Sequence, residues 1–201
     1  MQHAKWAPFP GKAYAESGVR LLRPGNLDQS GYFTWEPSKT VHVSKRWEQE
    51  AVDFVVGPGD VVMNLTAQSL EDGFMGRVCL ARTGDRSLLN QRIGRFCNWS
   101  SDVLPEYVFR VFQSSRFQHH AIEMCEGSKV KHIFWPYIAR YVLRLPSRAE
   151  QQTVVSVLRE LDALLVEEAR RVRRHDALHR NLAMTALDCG GAMSSKEANH
   201  R

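Results

Sequence analysis

The sequence lacks the features that would place it in a membrane or in an oxidising compartment. No window approaches the roughly 18 uninterrupted apolar residues that a membrane-spanning helix requires. The first residues carry neither the apolar run nor the small-residue cleavage site of a secretory signal. The 4 cysteines are scattered without a CxxC pair, a pattern typical of reduced, buried thiols rather than of a zinc site or a disulfide framework. We therefore expect a cytoplasmic protein that holds no metal.

Familiar catalytic signatures are missing as well. The sequence contains no GxSxG, no Walker motif, no GxGxxG after a strand and no Asp-Pro-Pro-Tyr-like loop. Asp60 and Glu71 lack the accompanying Glu-x-Lys of a metal-dependent nuclease. His175 and His179 lie one helical turn apart, but Asp176 stands where a zincin carries its catalytic glutamate. The sequence predicts a binding protein with no catalytic residue and no cofactor on this chain.

The charge balance is moderately basic. Lys and Arg number 27 against 22 Asp and Glu, which gives a net charge of +5 at pH 7. This excess favours polyanionic partners, but charge alone leaves a nucleic-acid partner and a protein partner both open. The 201 residues, 43% hydrophobic and 24% charged, suit one globular core with an appendage.

A helical pattern without Gly or Pro occupies residues 147–187. Ser147 and Glu150 form a capping-box pattern at its start, directly after Pro146. Apolar residues alternate four and three apart along one coiled-coil seam, and Glu168, His175 and His179 fill its remaining positions. The apolar seam residues are Val154, Leu158, Leu161, Leu165, Val172 and Leu182. The pattern predicts a helix of roughly 60 Å that serves as a spacer or docks a partner.

Residues 18–146 alternate short β-branched or aromatic runs with turns rich in Gly and Pro, and contain one amphipathic helical pattern at 105–115. A run at 138–145, with Arg140 and Arg144 at alternating polar positions, predicts the last strand. The expected fold class is α+β: a mixed, β-rich domain followed by one long C-terminal coiled-coil helix. Residues 1–17 predict an irregular lead-in, and residues 188–201 predict a disordered tail.

Polar and basic residues cluster at three turns of the β-rich domain. Arg20 and Arg23 flank the turn after the first strand, and Asn90-Gln91-Arg92 sits inside a strand-like run. Residues 127–133, GSKVKHI, form a small basic loop. Arg, Asn and Gln can make bidentate contacts with base edges, and a basic loop beside glycine suits a phosphate. The alternative is that these residues are solvated positions on edge strands.

In their order along the chain, these pieces resemble the specificity subunits of type I restriction-modification systems. The likeness covers roughly residues 18–187. The segments that carry it are residues 19–27 (VRLLRPGNL), 59–62 (GDVV), 73–77 (GFMGR), 89–92 (LNQR), 127–133 (GSKVKHI), and Leu145-Pro146 with Glu150-Gln151-Gln152 before the long helix.

The resemblance implies a non-catalytic DNA-reading subunit. Residues 18–146 would be a target recognition domain that reads one half of a bipartite site, and the helix of residues 147–187 would dock adenine methyltransferase subunits. S-adenosylmethionine would bind those subunits and not this chain, and a restriction subunit can join such a complex. The residues implied to lie near double-stranded DNA are Arg20, Arg23, Asn26, Arg77, Gln91, Arg92, Lys129, Lys131 and His132.

One departure from that family is the number of modules. Specificity subunits of the usual kind hold two recognition domains and two helices, whereas this sequence has one of each. The sequence thus predicts a half-subunit that pairs antiparallel with itself through the seam and reads a palindromic, interrupted site. The alternatives are a non-enzymatic protein–protein interaction module and an orphan DNA-binding fragment of such a subunit.

Overall fold

Short strands dominate the first half of the computed structural model, which describes Phe9 and residues 13–197. In chain order, the strands of the described residues are β1 (Tyr14–Ala15), β2 (Val19–Leu22), β3 (Val41–Val43), β4 (Val55–Val56), β5 (Val61–Asn64), β6 (Thr66–Ala67), β7 (Val78–Leu80), β8 (Ser87–Leu89), β9 (Ile93–Phe96) and β10 (Lys131–His132). The helices are α1 (Trp47–Glu50), α2 (Pro105–Phe112), α3 (Ser115–Glu123), α4 (Trp135–Ala139) and α5 (Arg148–Glu197). The α+β fold class predicted from the sequence is confirmed.

The strands form three sheets. One holds five strands in the order β1-β3-β2-β8-β4, and within it β2 and β8 run parallel with Arg20 opposite Ser87. A second, antiparallel sheet has the order β7-β5-β9, and β10 pairs with β6 in the third. All four residues of β5 are buried, as expected for an apolar run without alternation.

The strand-like run at 87–96 is divided between two of these sheets. The turn at residues 90–92 ends β8 and starts β9, and the Arg92 N–H donates to Asn90 Oδ1 at 3.1 Å. The Asn90 N–H also donates to the Leu22 carbonyl at 3.0 Å, which fixes the turn beside the end of β2. An asparagine that bonds backbone two residues ahead is a typical turn former, which explains the break.

The largest core cluster packs β5, β7 and β9 against α2 and α3. The apolar face of α2 is buried, with Phe109 fully enclosed, and the rings of Phe112 and Phe117 stack at 4.1 Å between centroids. The Ser114 hydroxyl caps α3 by accepting the Phe117 N–H at 3.3 Å. Aromatic packing thus joins the helices to the sheet.

The prediction of a last strand at residues 138–145 is wrong. The short helix α4 ends at Ala139, and the chain is irregular from there to Pro146. Pro136 lies in the first turn of α4, where its fixed φ suits a helix, and Ile138 is buried in the core cluster. The alternation of Arg140 and Arg144 therefore does not reflect a strand.

The lead-in is more regular than its composition predicts. β1 pairs antiparallel with β3, Tyr14 opposite Val43, and the rings of Phe9 and Trp47 meet edge to face with centroids 5.3 Å apart. Residues 1–8 and 10–12 lie outside the described residues.

The chain divides into two compact units, Met1–Val155 (unit 1) and Ser156–Arg201 (unit 2), and α5 runs from one into the other. At its start, Glu150 accepts hydrogen bonds from the Ser147 N–H and hydroxyl at 2.9 and 2.7 Å. The helix reaches Glu197, so it includes residues 188–197 that the composition assigned to a disordered tail; residues 198–201 lie outside the described part. Within the described residues, no helix combines the length and apolarity needed to cross a membrane.

Candidate nucleic-acid interface

Backbone hydrogen bonds bring the three basic turns of unit 1 side by side. Asn90 bonds to Leu22, the residue before Arg23. On the other side of the same turn, the Leu65 N–H donates to the Arg92 carbonyl at 2.9 Å, and the Ile133 N–H donates to the Leu65 carbonyl at 3.0 Å. The turn after β2, the turn at 90–92 and the end of the loop of residues 127–133 are thus neighbours along one edge of unit 1. We call its outward polar residues the basic rim: Arg23, Gln91, Arg92, Lys129, Lys131 and His132.

The rim is open to solvent and electropositive. Arg23, Gln91, Arg92 and Lys129 are exposed, and Lys131 and His132 are half-buried. No carboxylate of the described residues forms an ion pair with Arg92, Lys129 or Lys131, so these charges remain available to an external anion. The nearby carboxylate of Glu126 accepts a hydrogen bond from the Tyr137 hydroxyl, which raises the Tyr137 pKa.

Glycine is required where the rim's basic loop begins. Gly127 has a φ of 106°, a left-handed conformation that side chains disfavour. A Cβ built there would lie 2.3 Å from the Val130 carbonyl oxygen. The loop closes tightly on itself and holds Lys129 at its tip.

Two of the predicted DNA-contacting residues have structural roles instead. The Asn26 side chain is buried, accepts the Arg23 N–H at 3.0 Å and donates to the Thr34 carbonyl at 3.1 Å. The Arg77 guanidinium donates to the carbonyls of Gly73, Leu27 and Asp72 at 3.0 to 3.1 Å. Burial lowers the Arg77 pKa from its ordinary value. Asn26 shapes the turn after β2, and Arg77 ties the glycine loop to that turn.

Arg20 is also engaged within unit 1. Its Nη2 donates to the Gly84 carbonyl at 3.1 Å, and its guanidinium lies 4.2 Å from the ring centroid of Trp35. The Trp35 Nε1 in turn donates to Asp85 Oδ1 at 3.1 Å. Arg20 therefore braces the 84–85 turn from the middle of β2 rather than joining the rim.

Phe134 lies two residues after His132, the last residue of the rim, and the sequence pattern did not indicate it. Its side chain is 49% exposed, and its ring lies nearly parallel to that of His132, with centroids 6.2 Å apart and an interplanar angle of 14°. An aromatic residue in a mixed segment is usually core, and only the tertiary structure places this one on the surface.

Gln151 is a second residue whose role the pattern did not reveal. It is fully buried at the start of α5 and accepts the Leu104 N–H at 2.8 Å through Oε1. Its Nε2 donates to the carbonyls of Asp102 and Pro146 at 2.8 and 2.9 Å. The first turn of α5 is thereby fastened to the loop before α2. The sequence feature that pointed to Gln151 was its place in the Glu150-Gln151-Gln152 run, which is part of the resemblance to specificity subunits.

In unit 2, the predicted seam of α5 faces solvent in the single chain. Leu161, Leu165, Val172 and Leu182 are each 49–69% exposed. Arginines on the same helix pair with acidic residues a turn away, for example Arg171 with Glu168 at 3.4 Å. An exposed apolar stripe of this length is typical of a surface that binds another chain. Of the two remaining seam residues, Leu158 in unit 2 is half-buried and Val154, in the part of α5 that belongs to unit 1, is exposed.

Comparison with known proteins agrees with this architecture. The chain is 23% identical over 157 residues to the type I restriction enzyme MjaVIII specificity subunit of Methanocaldococcus jannaschii. The chain resembles type I specificity subunits. No family model matches it.

Two solved structures share the fold of this specificity-subunit-like chain. One comes from work on complex assembly and conformational transition of the type I R-M system; it has a TM-score of 0.57 and 15% identity over 89% of this chain. The other, the HsdS subunit from Thermoanaerobacter tengcongensis, has a TM-score of 0.53 and 15% identity over 78% of this chain. The chain spans 36% of the length of the curated relative and 40% and 38% of the lengths of the two solved chains.

Proposed function

We propose that this chain is the DNA-recognition subunit of a type I restriction-modification complex. In this proposal unit 1 binds one half of a bipartite site in double-stranded DNA, and α5 docks adenine methyltransferase subunits. The observation that carries the proposal is the basic rim, in which three turns distant in sequence place unpaired cations along one edge. The likeness to specificity subunits supports the same role.

The rim residues divide by their chemistry. Lys129 and Lys131 are point charges suited to phosphate, which gives affinity without sequence information. Arg23, Gln91 and Arg92 carry the planar groups that bind base edges, and each good bidentate contact contributes roughly 1–3 kcal/mol of discrimination. His132 follows Lys131 in the same loop. Asn26 and Arg77 support the turn after β2 from within unit 1, whereas Arg20 braces the 84–85 turn.

The chain itself supplies no catalysis in this scheme. S-adenosylmethionine binds the methyltransferase partner, a restriction subunit completes the complex when cleavage occurs, and the assembly works in the cytoplasm. Removing any rim residue should therefore change which DNA is modified, or how tightly it is bound, without changing the chemistry of methyl transfer.

The helix would pair two copies of the chain. The exposed seam supports an antiparallel coiled coil, and a two-fold dimer presents identical rims to identical half-sites. Light scattering should give about twice the 23.0 kDa mass of the chain. A stable 23.0 kDa chain bound to methyltransferase would refute self-pairing and leave DNA recognition standing.

The first experiment is a tagged pull-down from the native host, with mass spectrometry of what survives nuclease treatment and a moderate salt wash. An adenine methyltransferase among the retained proteins supports the proposal. Its absence, with DNA binding intact, would favour the orphan-fragment alternative.

DNA binding is then tested with rim variants. The purified chain selects duplexes from a library of short DNAs with a randomised centre, and affinities are measured against salt. Lys131→Ala should weaken binding to all duplexes and reduce the salt slope by about 1, whereas Arg92→Ala should weaken binding and relax the base preference at one position of the site. Lys45→Ala is the matched control, because Lys45 is an exposed cation that follows β3 at the opposite end of β2 from the rim. Equal losses for Lys45→Ala and Arg92→Ala would contradict the rim.

The exposed apolar seam also fits a second candidate, a protein–protein interaction module unrelated to DNA. Salt distinguishes the two functions. Docking through apolar residues changes little with ionic strength, whereas DNA binding weakens by nearly one power of salt for each phosphate neutralised.

A further inference from the structure

We propose that the rings of Phe134 and His132 form a base-stacking site beside the basic rim, where Phe134 packs against the face of a nucleobase at a locally unstacked step of the bound duplex. The inference rests on the proposed DNA binding and names a contact that the rim's polar residues do not supply. Phenylalanine has no hydrogen-bonding group, so its contacts with a base are apolar, either with the base face or with a thymine methyl group. In this proposal the contact is with a base face.

His132 and Phe134 lie on the surface of unit 1 that carries the basic rim. His132 belongs to the rim, and Phe134 follows it with Ile133 between them pointing into the core at 2% exposure. The Ile133 N–H bonds to Leu65, the residue that also bonds to Arg92. DNA held by Lys131 and Arg92 would therefore run past the exposed ring of Phe134.

The backbone that carries Phe134 is held on both sides. Its carbonyl accepts the N–H groups of Tyr137 at 3.0 Å and Ile138 at 3.4 Å, which makes it the N-cap of α4. Pro136 stiffens the same turn, and the buried side chain of Ile133, the residue before Phe134, anchors the backbone on the other side. A side chain that must displace base stacking benefits from such support, because little backbone freedom is lost on binding.

The His132 ring lies beside that of Phe134. Its backbone pairs with Thr66 in β6 and exchanges two hydrogen bonds with Glu126, at 2.7 and 2.8 Å. The ring is thus carried by a fixed strand, nearly parallel to that of Phe134. Lys129 and Lys131 belong to the same loop, which matches the general combination of aromatic stacking with cations that hold the backbone.

The test uses the duplex that the full chain selects from the randomised library, with 2-aminopurine replacing each adenine in turn. Binding of the native chain should raise 2-aminopurine fluorescence at one step, because unstacking removes quenching by neighbouring bases. Phe134→Ala should abolish that rise and weaken affinity by about 5-fold to 150-fold. Arg92→Ala should weaken affinity but keep the rise at saturating protein.

Two controls separate stacking from stability. Val142→Ala removes an aliphatic side chain that is 79% exposed on the same unit, and should leave affinity and fluorescence unchanged. Phe134→Trp keeps an aromatic face and should retain the signal. If Phe134→Ala binds and fluoresces like the native chain, the stacking site is refuted and DNA binding stands. If the native chain selects no duplex, the proposed function itself has failed.

Discussion

Replacing Gln151 by alanine should destabilise unit 1 by about 3 kcal/mol. The substitution removes three hydrogen bonds of 2.8–2.9 Å from a fully buried site, each worth about 1 kcal/mol net. It also leaves the Leu104 N–H and the carbonyls of Asp102 and Pro146 without that partner. For a chain of this size the loss corresponds to a fall in melting temperature of about 6–12 °C.

Thermal unfolding followed by circular dichroism measures the effect, and Gln152→Ala serves as the matched control. Gln152 is the exposed neighbour, so its truncation should change the unfolding free energy by less than about 0.5 kcal/mol. Gln151→Glu should lose more than Gln151→Ala, since its carboxylate would face two carbonyl oxygens. Equal melting temperatures for Gln151→Ala and Gln152→Ala would refute the clamp.

Three further expectations follow from the same structure. Arg77→Ala should lower the unfolding free energy of unit 1 by at least about 2 kcal/mol, measured by urea titration, and Arg77→Lys should recover little because it lacks the planar fork. Leu165→Glu should convert the dimer to monomer in light scattering without changing the melting temperature of unit 1; a surviving dimer would place the interface elsewhere. Hydrogen bonds from Ser147 lower the Glu150 pKa, so the stability this carboxylate contributes is present above its unfolded pKa near 4.5 and disappears as pH falls through the lower folded value. Glu150→Gln should accordingly lose less stability than the native chain between pH 7 and pH 3, and an unchanged pH profile would contradict the capping role.

The surface position of part of the predicted interface follows from local sequence pattern. Lys129 and Lys131 lie in a glycine-started loop, and Gln91 and Arg92 in a turn, so their exposure follows from local structure. Their DNA contact remains a prediction. The same reasoning predicted DNA contacts for Asn26 and Arg77, whose side-chain N–H groups are equally suited to bases. Only the fold shows that these N–H groups donate hydrogen bonds to backbone carbonyls within unit 1.

The missed elements share a physical cause. A period-two pattern over residues 138–145 fits a strand, but a strand also needs a neighbouring strand to pair with. Pro136 and the buried side chain of Ile138 favour the helix α4 at the start of this segment instead. Likewise, nothing local distinguishes an aromatic residue that packs inside from one that caps a short helix at the surface, as Phe134 does.

The sequence by itself determined the long helix, its capped start and its apolar seam, because helix periodicity and capping are encoded within a few residues. It also determined the α+β class and the basic character of three turns. The tertiary structure decided that those turns share one edge, that Arg77 supports the turn after β2 from inside, and that Gln151 fastens α5 to the loop before α2. These outcomes depend on hydrogen bonds between residues dozens of positions apart, and no local pattern specifies which distant groups will meet.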